Sequence, residues 1–297
     1  MKKFDEITKI KKMLGTGFRN ARKNLGLTAM DIAGEYRSKG SMSDFETGKG
    51  DMPVSLFYYF IKKMRITFSE FKFLSNNYEL DEFSKIWSEI VKLCYDKNES
   101  AVTLLMLRTE RKVDEGNFDE LDYIMLKQIA SCTYSEFILS TSEKKKVITH
   151  LKKMKDWRNR DLVLYGNTLI AFDVETVKEL SETVVARTAF YKSIPENKKL
   201  IAQILLNTIT ALLKGDELPT AIKVQNQVRD LLDDGNAYER IAFIFACGMI
   251  DYYRGDIENG VLLMKETVEI FHRIGSVESA QRYQASYDEI VGFSENL

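Results

Sequence analysis

The sequence predicts an all-α protein, a small helical head followed by a long helical-repeat body. Three observations predict it. Only 3 prolines and 16 glycines punctuate 297 residues, too few breaks for a chain of hairpins. Apolar residues recur at spacings of three and four along nearly the whole length. A Gly-Asp turn, Gly215-Asp216, returns 40 residues later as Gly255-Asp256, each time leading into a new helical pattern. With 44% hydrophobic residues the chain can fill a core. Its length favours two domains, expected at residues 1–70 and 71–297.

The first helix is expected over residues 10–25, "IKKMLGTGFRNARKNL", where Met13, Leu14, Phe18, Ala21 and Leu25 share a face and Gly26 ends it. Thr28 then stands as an N-cap with Asp31 three residues on, a near capping box, and Gly34 closes a helix of about two turns. Ser38 caps a third helix, in which Met42 and Phe45 point inward and Gly48 is the stop. Lys39, Gly40, Ser43, Asp44 and Thr47 are left outside. Pro53 starts a fourth helix whose Leu56, Phe57, Phe60 and Ile61 complete a small core.

Two short helices joined by a tight turn fit a helix-turn-helix, and their order and spacing resemble the repressor type. The stretch "GLTAMDIAGEYRSKGSMSDFETGKGDMPVSLFYYF", residues 26–60, resembles the N-terminus of the Rgg/GadR/MutR regulators. That resemblance implies an internal pair between Arg22 and Glu46, tying the first helix to the reading helix. It also implies a double-stranded DNA operator as partner, with Arg19, Arg37, Lys39, Ser41, Ser43, Asp44 and Thr47 as candidate contacts. Asp44 is the departure: family members usually carry Arg at this position. A carboxylate cannot donate to guanine, although it can accept from a cytosine amino group. Three readings follow: DNA binding with altered specificity, a degenerate module retained for dimerisation, or a residue substituted by engineering or by chance.

From residue 75 onward, eleven amphipathic patterns on short connectors argue for stacked helix pairs, a TPR-like α-solenoid. Asp173 lies 43 residues before Asp216 and extends the repeat upstream. In the Gly-Asp turns, the glycine is expected to end one helix in a left-handed conformation and the aspartate to cap the next.

Within the body, "KMKDWRNRDLVLYGNTLIAFD" places Trp157, Asp161, Tyr165, Gly166 and Asn167 in a segment that also resembles the Rgg group. Trp157 and Tyr165 are expected to pack. Arg158 and Arg160 need a carboxylate, supplied either internally or by a ligand. Gln203 and Asn207 are four apart on one face of a mostly apolar helix, and amide side chains of this kind can both donate to and accept from an extended peptide backbone. The resemblance implies a short signalling peptide as ligand, for which Arg158, Arg160, Asn167, Gln203, Asn207 and Tyr252 are the candidate contacts. It also implies a homodimer, as two operator half-sites require.

Charge agrees with this division. Residues 1–70 hold 14 Lys+Arg against 8 Asp+Glu, and the remainder 29 against 36, a basic head on an acidic body. Cys94, Cys132 and Cys247 are far apart in apolar runs and are expected to be buried free thiols. His150 and His272 have no Cys or Asp at ligand or triad spacing. No phosphate loop, nucleophile–base pair or metal cluster is legible, so no enzyme and no cofactor are expected. No apolar run reaches membrane-spanning length, and "MKKFDEITKIKK" lacks the apolar core of a signal peptide, so the expected location is cytoplasmic, away from any membrane. The reading is a peptide-controlled transcriptional regulator. The alternative is a TPR-like protein-interaction adaptor whose helix-turn-helix no longer binds DNA.

Overall fold

The computed structural model describes residues 2–187 and 195–294, and these fold into sixteen α-helices with no strand among them. They divide into two compact units, Met1–Glu89 and Ile90–Leu297.

The first unit is built on α1 (Lys2–Asn24), followed by α2 (Ala29–Ala33), α3 (Lys39–Glu46), α4 (Val54–Lys63) and α5 (Phe68–Ser75). Phe18, Ala21, Ile32, Met42, Phe45, Phe60, Ile61 and Phe71 bury together as one core. The rings of Phe18 and Phe45 meet edge to face with centroids 5.4 Å apart. Residue 70 lies inside α5, and Phe71 belongs to this core, so the first unit runs beyond the expected break. Two glycines let α1 sit this close. A Cβ on Gly15 would lie 2.1 Å from the Phe45 carbonyl oxygen, and one on Gly17 would lie 2.4 Å from Ser75 Cα.

The expected caps are in place. Thr28 and Asp31 form a reciprocal capping box, and Ser38 Oγ accepts from Ser41 N at 3.2 Å. Pro53 takes the cap position of α4 rather than its first turn. The first helix begins at Lys2, eight residues before the expected start, because "KKFDEITK" carries no breaker and its lysines favour helix.

The remaining helices are α6 (Glu82–Tyr95), α7 (Glu99–Asp114), α8 (Glu120–Ser131), α9 (Thr141–Lys153), α10 (Asn159–Thr168), α11 (Val174–Arg187), α12 (Pro195–Lys214), α13 (Leu218–Leu231), α14 (Ala237–Arg254), α15 (Ile257–Arg273) and α16 (Val277–Ser294). In the second unit each packs mainly on helices one or two places along the chain: α8 on α10, α10 on α12, α12 on α13 and α14, α14 on α15, α15 on α16. Nearest-neighbour packing of this kind defines a solenoid.

Polar ties between repeats keep the same period. Asn159 and Asn197 are 38 residues apart, Arg160 and Asp122 38, Lys178 and Glu217 39, Lys198 and Asp233 35, and Gln203 and Glu239 36. Each hydrogen bond therefore joins equivalent levels of successive units.

One turn matches its expected chemistry and its copy does not. Gly255 ends α14 at φ 101° and Asp256 caps α15, accepting from Asn259 N. At the earlier copy Asp216 itself takes the left-handed conformation, φ 62°, and Glu217 is the cap position. Gly215 is required for space instead, since a Cβ there would stand 2.3 Å from Val174 Cγ2.

Candidate functional site

In the head, the inward side of α3 is fixed by Met42 and Phe45, both buried. The Arg22 guanidinium lies behind them and donates from Nε to Glu46 Oε1 and from Nη2 to Glu46 Oε2, each at 2.7 Å, with Nη1 donating to the Leu27 carbonyl at 2.6 Å. This is a buried bidentate pair, the geometry that best offsets the cost of burying both charges. The hydrogen bond to Glu46 is the main reason the Arg22 pKa is raised, against the lowering effect of burial.

With that side anchored, Lys39, Ser43, Asp44 and Thr47 are all exposed along the opposite face. The Thr47 hydroxyl donates to the Ser43 carbonyl at 2.8 Å. The Asp44 carbonyl accepts from Lys49 N at 2.8 Å and Gly50 N at 2.9 Å, closing the turn after α3. Arg19 is half exposed, its Nε 4.0 Å from Glu46 Oε2.

Arg37 and Ser41 are occupied within the head. Arg37 Nε donates to Ser41 Oγ at 2.7 Å, and both terminal nitrogens donate to the Asp51 carbonyl at 3.0 Å. This brace fixes the start of α3 against the loop before α4. Sequence spacing gave no sign of it, because the acceptor is a backbone carbonyl 14 residues away. Tyr36 and Tyr59 are further exposed groups that the sequence reading passed over, paired edge to face at 5.3 Å.

In the body, Trp157 and Tyr165 are fully buried and pack edge to face, and Trp157 Nε1 donates to the Leu151 carbonyl at 3.1 Å. The Arg160 carboxylates are internal: its Nη2 stands 2.6 Å from Asp119 Oδ1 and 3.0 Å from Asp122 Oδ1. Arg158 is largely exposed. Its backbone N donates to Asp161 Oδ2 at 3.0 Å, and its Nε lies 3.4 Å from the same oxygen.

His150 corrects the expectation that neither histidine has an acidic partner, since its Nε2 is 2.8 Å from Asp161 Oδ1 across the α9–α10 turn. Burial pushes the Asp161 carboxyl up, but the hydrogen bonds from His150 and Arg158 outweigh it and leave the pKa below the usual aspartate value.

A partly exposed stripe of α12 runs through Lys199, Gln203, Asn207 and Thr210. Gln203 Nε2 donates to Glu239 Oε1 at 2.6 Å, while Asn207 is exposed with no side-chain partner among the described residues. On α10, Asn167 Nδ2 donates to the Val163 carbonyl at 2.7 Å, and the neighbouring Gly166 is where Ile204 of α12 packs. Asn167 and Gln203 thus stand on adjoining helices.

Tyr252 is not on this stripe. It is buried beside Gly260 of α15, where a Cβ would come within 2.8 Å of Tyr252 Cβ, because Gly248 and Gly260 bring α14 and α15 into close contact. The open hollow lined by Lys97, Asn98, Glu99, Ser100 and Thr103 contains none of the candidate residues. The thiols are free, as the spacing implied, but not buried: Cys132 is exposed and Cys94 and Cys247 are intermediate.

The model of the C-terminal domain of the HTH-type transcriptional regulator Rgg matches residues 105–285. The chain belongs to the Rgg family. Among solved structures, the fold is similar to that of the SHP pheromone receptor Rgg2 of Streptococcus dysgalactiae, with a TM-score of 0.78 at 22% identity over 93% of this chain and 98% of that one. It is similar to a protein of Listeria monocytogenes EGD-e assigned to the transcriptional regulators, with a TM-score of 0.78 at 18% identity over 97% and 99%. The PrgX/cCF10 complex gives a TM-score of 0.67 at 16% identity over 94% and 92%. In this Rgg chain the family match falls on the helical repeats α8 to α15 and the parts of α7 and α16 beside them. Among the described residues, no helix is long and apolar enough to cross a membrane, and no group of three His, Cys, Asp or Glu side chains is placed to hold a metal ion.

Proposed function

We propose that this Rgg chain is a cytoplasmic transcriptional regulator that binds operator DNA through α3 as a homodimer and is controlled by a short signalling peptide bound along α10 and α12. The observation that carries the DNA half is the division of α3. Its inward face is locked by Met42, Phe45 and the Arg22–Glu46 pair, and a polar outward face of Lys39, Ser43, Asp44 and Thr47 is left open to solvent. Such a helix can enter a major groove without repacking the head. Arg37 and Ser41 act by holding α3 in place, and Arg19 and Lys39 are the cations left for phosphates.

The peptide half rests on the partly exposed amides of α10 and α12. Rgg2 is a pheromone receptor and PrgX is solved with cCF10, and both share this fold. Asn207 is the candidate left without a partner among the described residues; the amides of Asn167 and Gln203 each donate within the fold and keep their carbonyl oxygens for a ligand, while Arg160 is engaged by Asp119 and Asp122 and Tyr252 packs against α15. A bound peptide alters transcription by favouring one arrangement of the dimer over another.

Asp44 favours a second reading, an adaptor without DNA binding, because it places an exposed acid on the outward face of α3. Fluorescence anisotropy of the full chain with a randomised duplex pool, followed by sequencing of the bound fraction, separates the two. A DNA reader enriches one operator and loses affinity steeply with salt, whereas an adaptor does neither.

A further inference from the structure

Glu239, in the first turn of α14, is 1% exposed and yet short of donors. Gln203 supplies one hydrogen bond, to Oε1 at 2.6 Å. The Lys199 ammonium stands 3.7 Å from the same oxygen, beyond hydrogen-bond length, with more than half of its side chain in solvent. Oε2 is buried with no hydrogen-bond partner among the described residues. An ionised carboxylate offers about four acceptor positions, and leaving them unmet away from water is costly. The start of a helix favours the negative charge but does not by itself fill those positions.

We infer that Glu239 receives a primary ammonium group of the bound peptide, beneath the Lys199–Gln203–Asn207 stripe of α12. This rests on the peptide reading given above. Lys199 and Gln203, which approach the carboxylate within 4 Å, stand on that partly exposed stripe, so a ligand lying along it passes directly over Glu239. Lys199 is a tethered stand-in: the chain brings its own ammonium close to the carboxylate, but holds it too far away to bond. A ligand ammonium can displace this flexible side chain and donate to both oxygens. A neutral backbone N–H would satisfy one lone pair and leave the charge uncompensated. Gln203, whose amide must turn its N–H toward a carboxylate, then presents its own carbonyl oxygen to the rest of the peptide.

The test uses the full chain and two pools of randomised octapeptides. One has free amino termini and no lysine or arginine. The other has acetylated termini and contains lysine, so that the two sources of ammonium are read separately. A third pool, acetylated and free of lysine and arginine, is the reference. Retained peptides are quantified by mass spectrometry. The wild type is expected to retain at least one ammonium-bearing pool about tenfold over the reference, and Glu239→Gln is expected to bring that ratio close to one. Lys199→Met, at a half-exposed position, is expected to raise it. Equal retention of all three pools by the wild type, an undiminished preference in Glu239→Gln, or loss of the preference in Lys199→Met would overturn the assignment. Retention of no pool by any form would instead remove the peptide reading, and this assignment with it.

Discussion

Arg22 and Glu46 close a bidentate ion pair, with two nitrogen–oxygen distances of 2.7 Å, between the first helix and the last turn of α3. Both side chains are almost entirely out of solvent. Removing one partner strands the other charge. Glu46→Ala is therefore expected to destabilise the head by about 3–5 kcal/mol and to abolish DNA binding with it. The double variant Arg22→Met, Glu46→Leu is expected to recover most of the stability, as measured by urea unfolding.

Asp44 has an exposed side chain, and its structural task is done by its carbonyl. Asp44→Arg is expected to leave the melting temperature unchanged and to tighten binding to duplex DNA at low salt. The slope of log affinity against log salt should steepen by about one if the new guanidinium meets a phosphate. Anisotropy titrations between low and moderate salt measure this. An unchanged slope with unchanged affinity would place α3 away from the duplex.

Arg37 distinguishes bracing from contact. Its guanidinium already serves Ser41 Oγ and the Asp51 carbonyl, so Arg37→Ala is expected to cost about 1–2 kcal/mol of stability and to weaken DNA binding without changing the salt slope. A phosphate contact would give the reverse pattern, an intact melting temperature with the slope reduced by about one. Thermal melts and salt titrations on the same preparation decide.

The His150–Asp161 contact has an acid signature. The folded state holds the Asp161 carboxyl below its ordinary pKa, so it stabilises the fold above the usual aspartate range. That contribution is lost as pH falls from about 4 through the lower folded value. Asp161→Asn is expected to lower stability at neutral pH and to flatten the loss on acidification, followed by circular dichroism from neutral pH downward. Parallel acid curves for the two proteins would show that the pair carries no linkage.

Much of this was legible in the chain itself. Caps at Thr28 and Ser38, and the burial of Met42 and Phe45, follow from short-range rules that need only a few neighbouring residues. The 40-residue return of the Gly-Asp turn was visible for the same reason. Relationships across repeats were not. His150 meets Asp161 through a turn, and Gln203 meets Glu239 a whole repeat later, so neither pairing leaves a local spacing to read. Arg37 and Gly215 share a different cause. One is held by a backbone carbonyl, which every residue type carries, and the other is needed for the space taken by Val174. Sequence patterns record which side chains are apolar, but not which backbone a side chain or a helix will meet.

The turn after α3 is closed by the main chain of residue 44, while its side chain is exposed. Single-codon changes at this position can therefore be sampled without penalty to the fold. The next two residues of the helix have no such licence: Phe45 is core and Glu46 is bonded. If α3 reads DNA as proposed, operator preference can be engineered one mutation at a time at a position that folding leaves open.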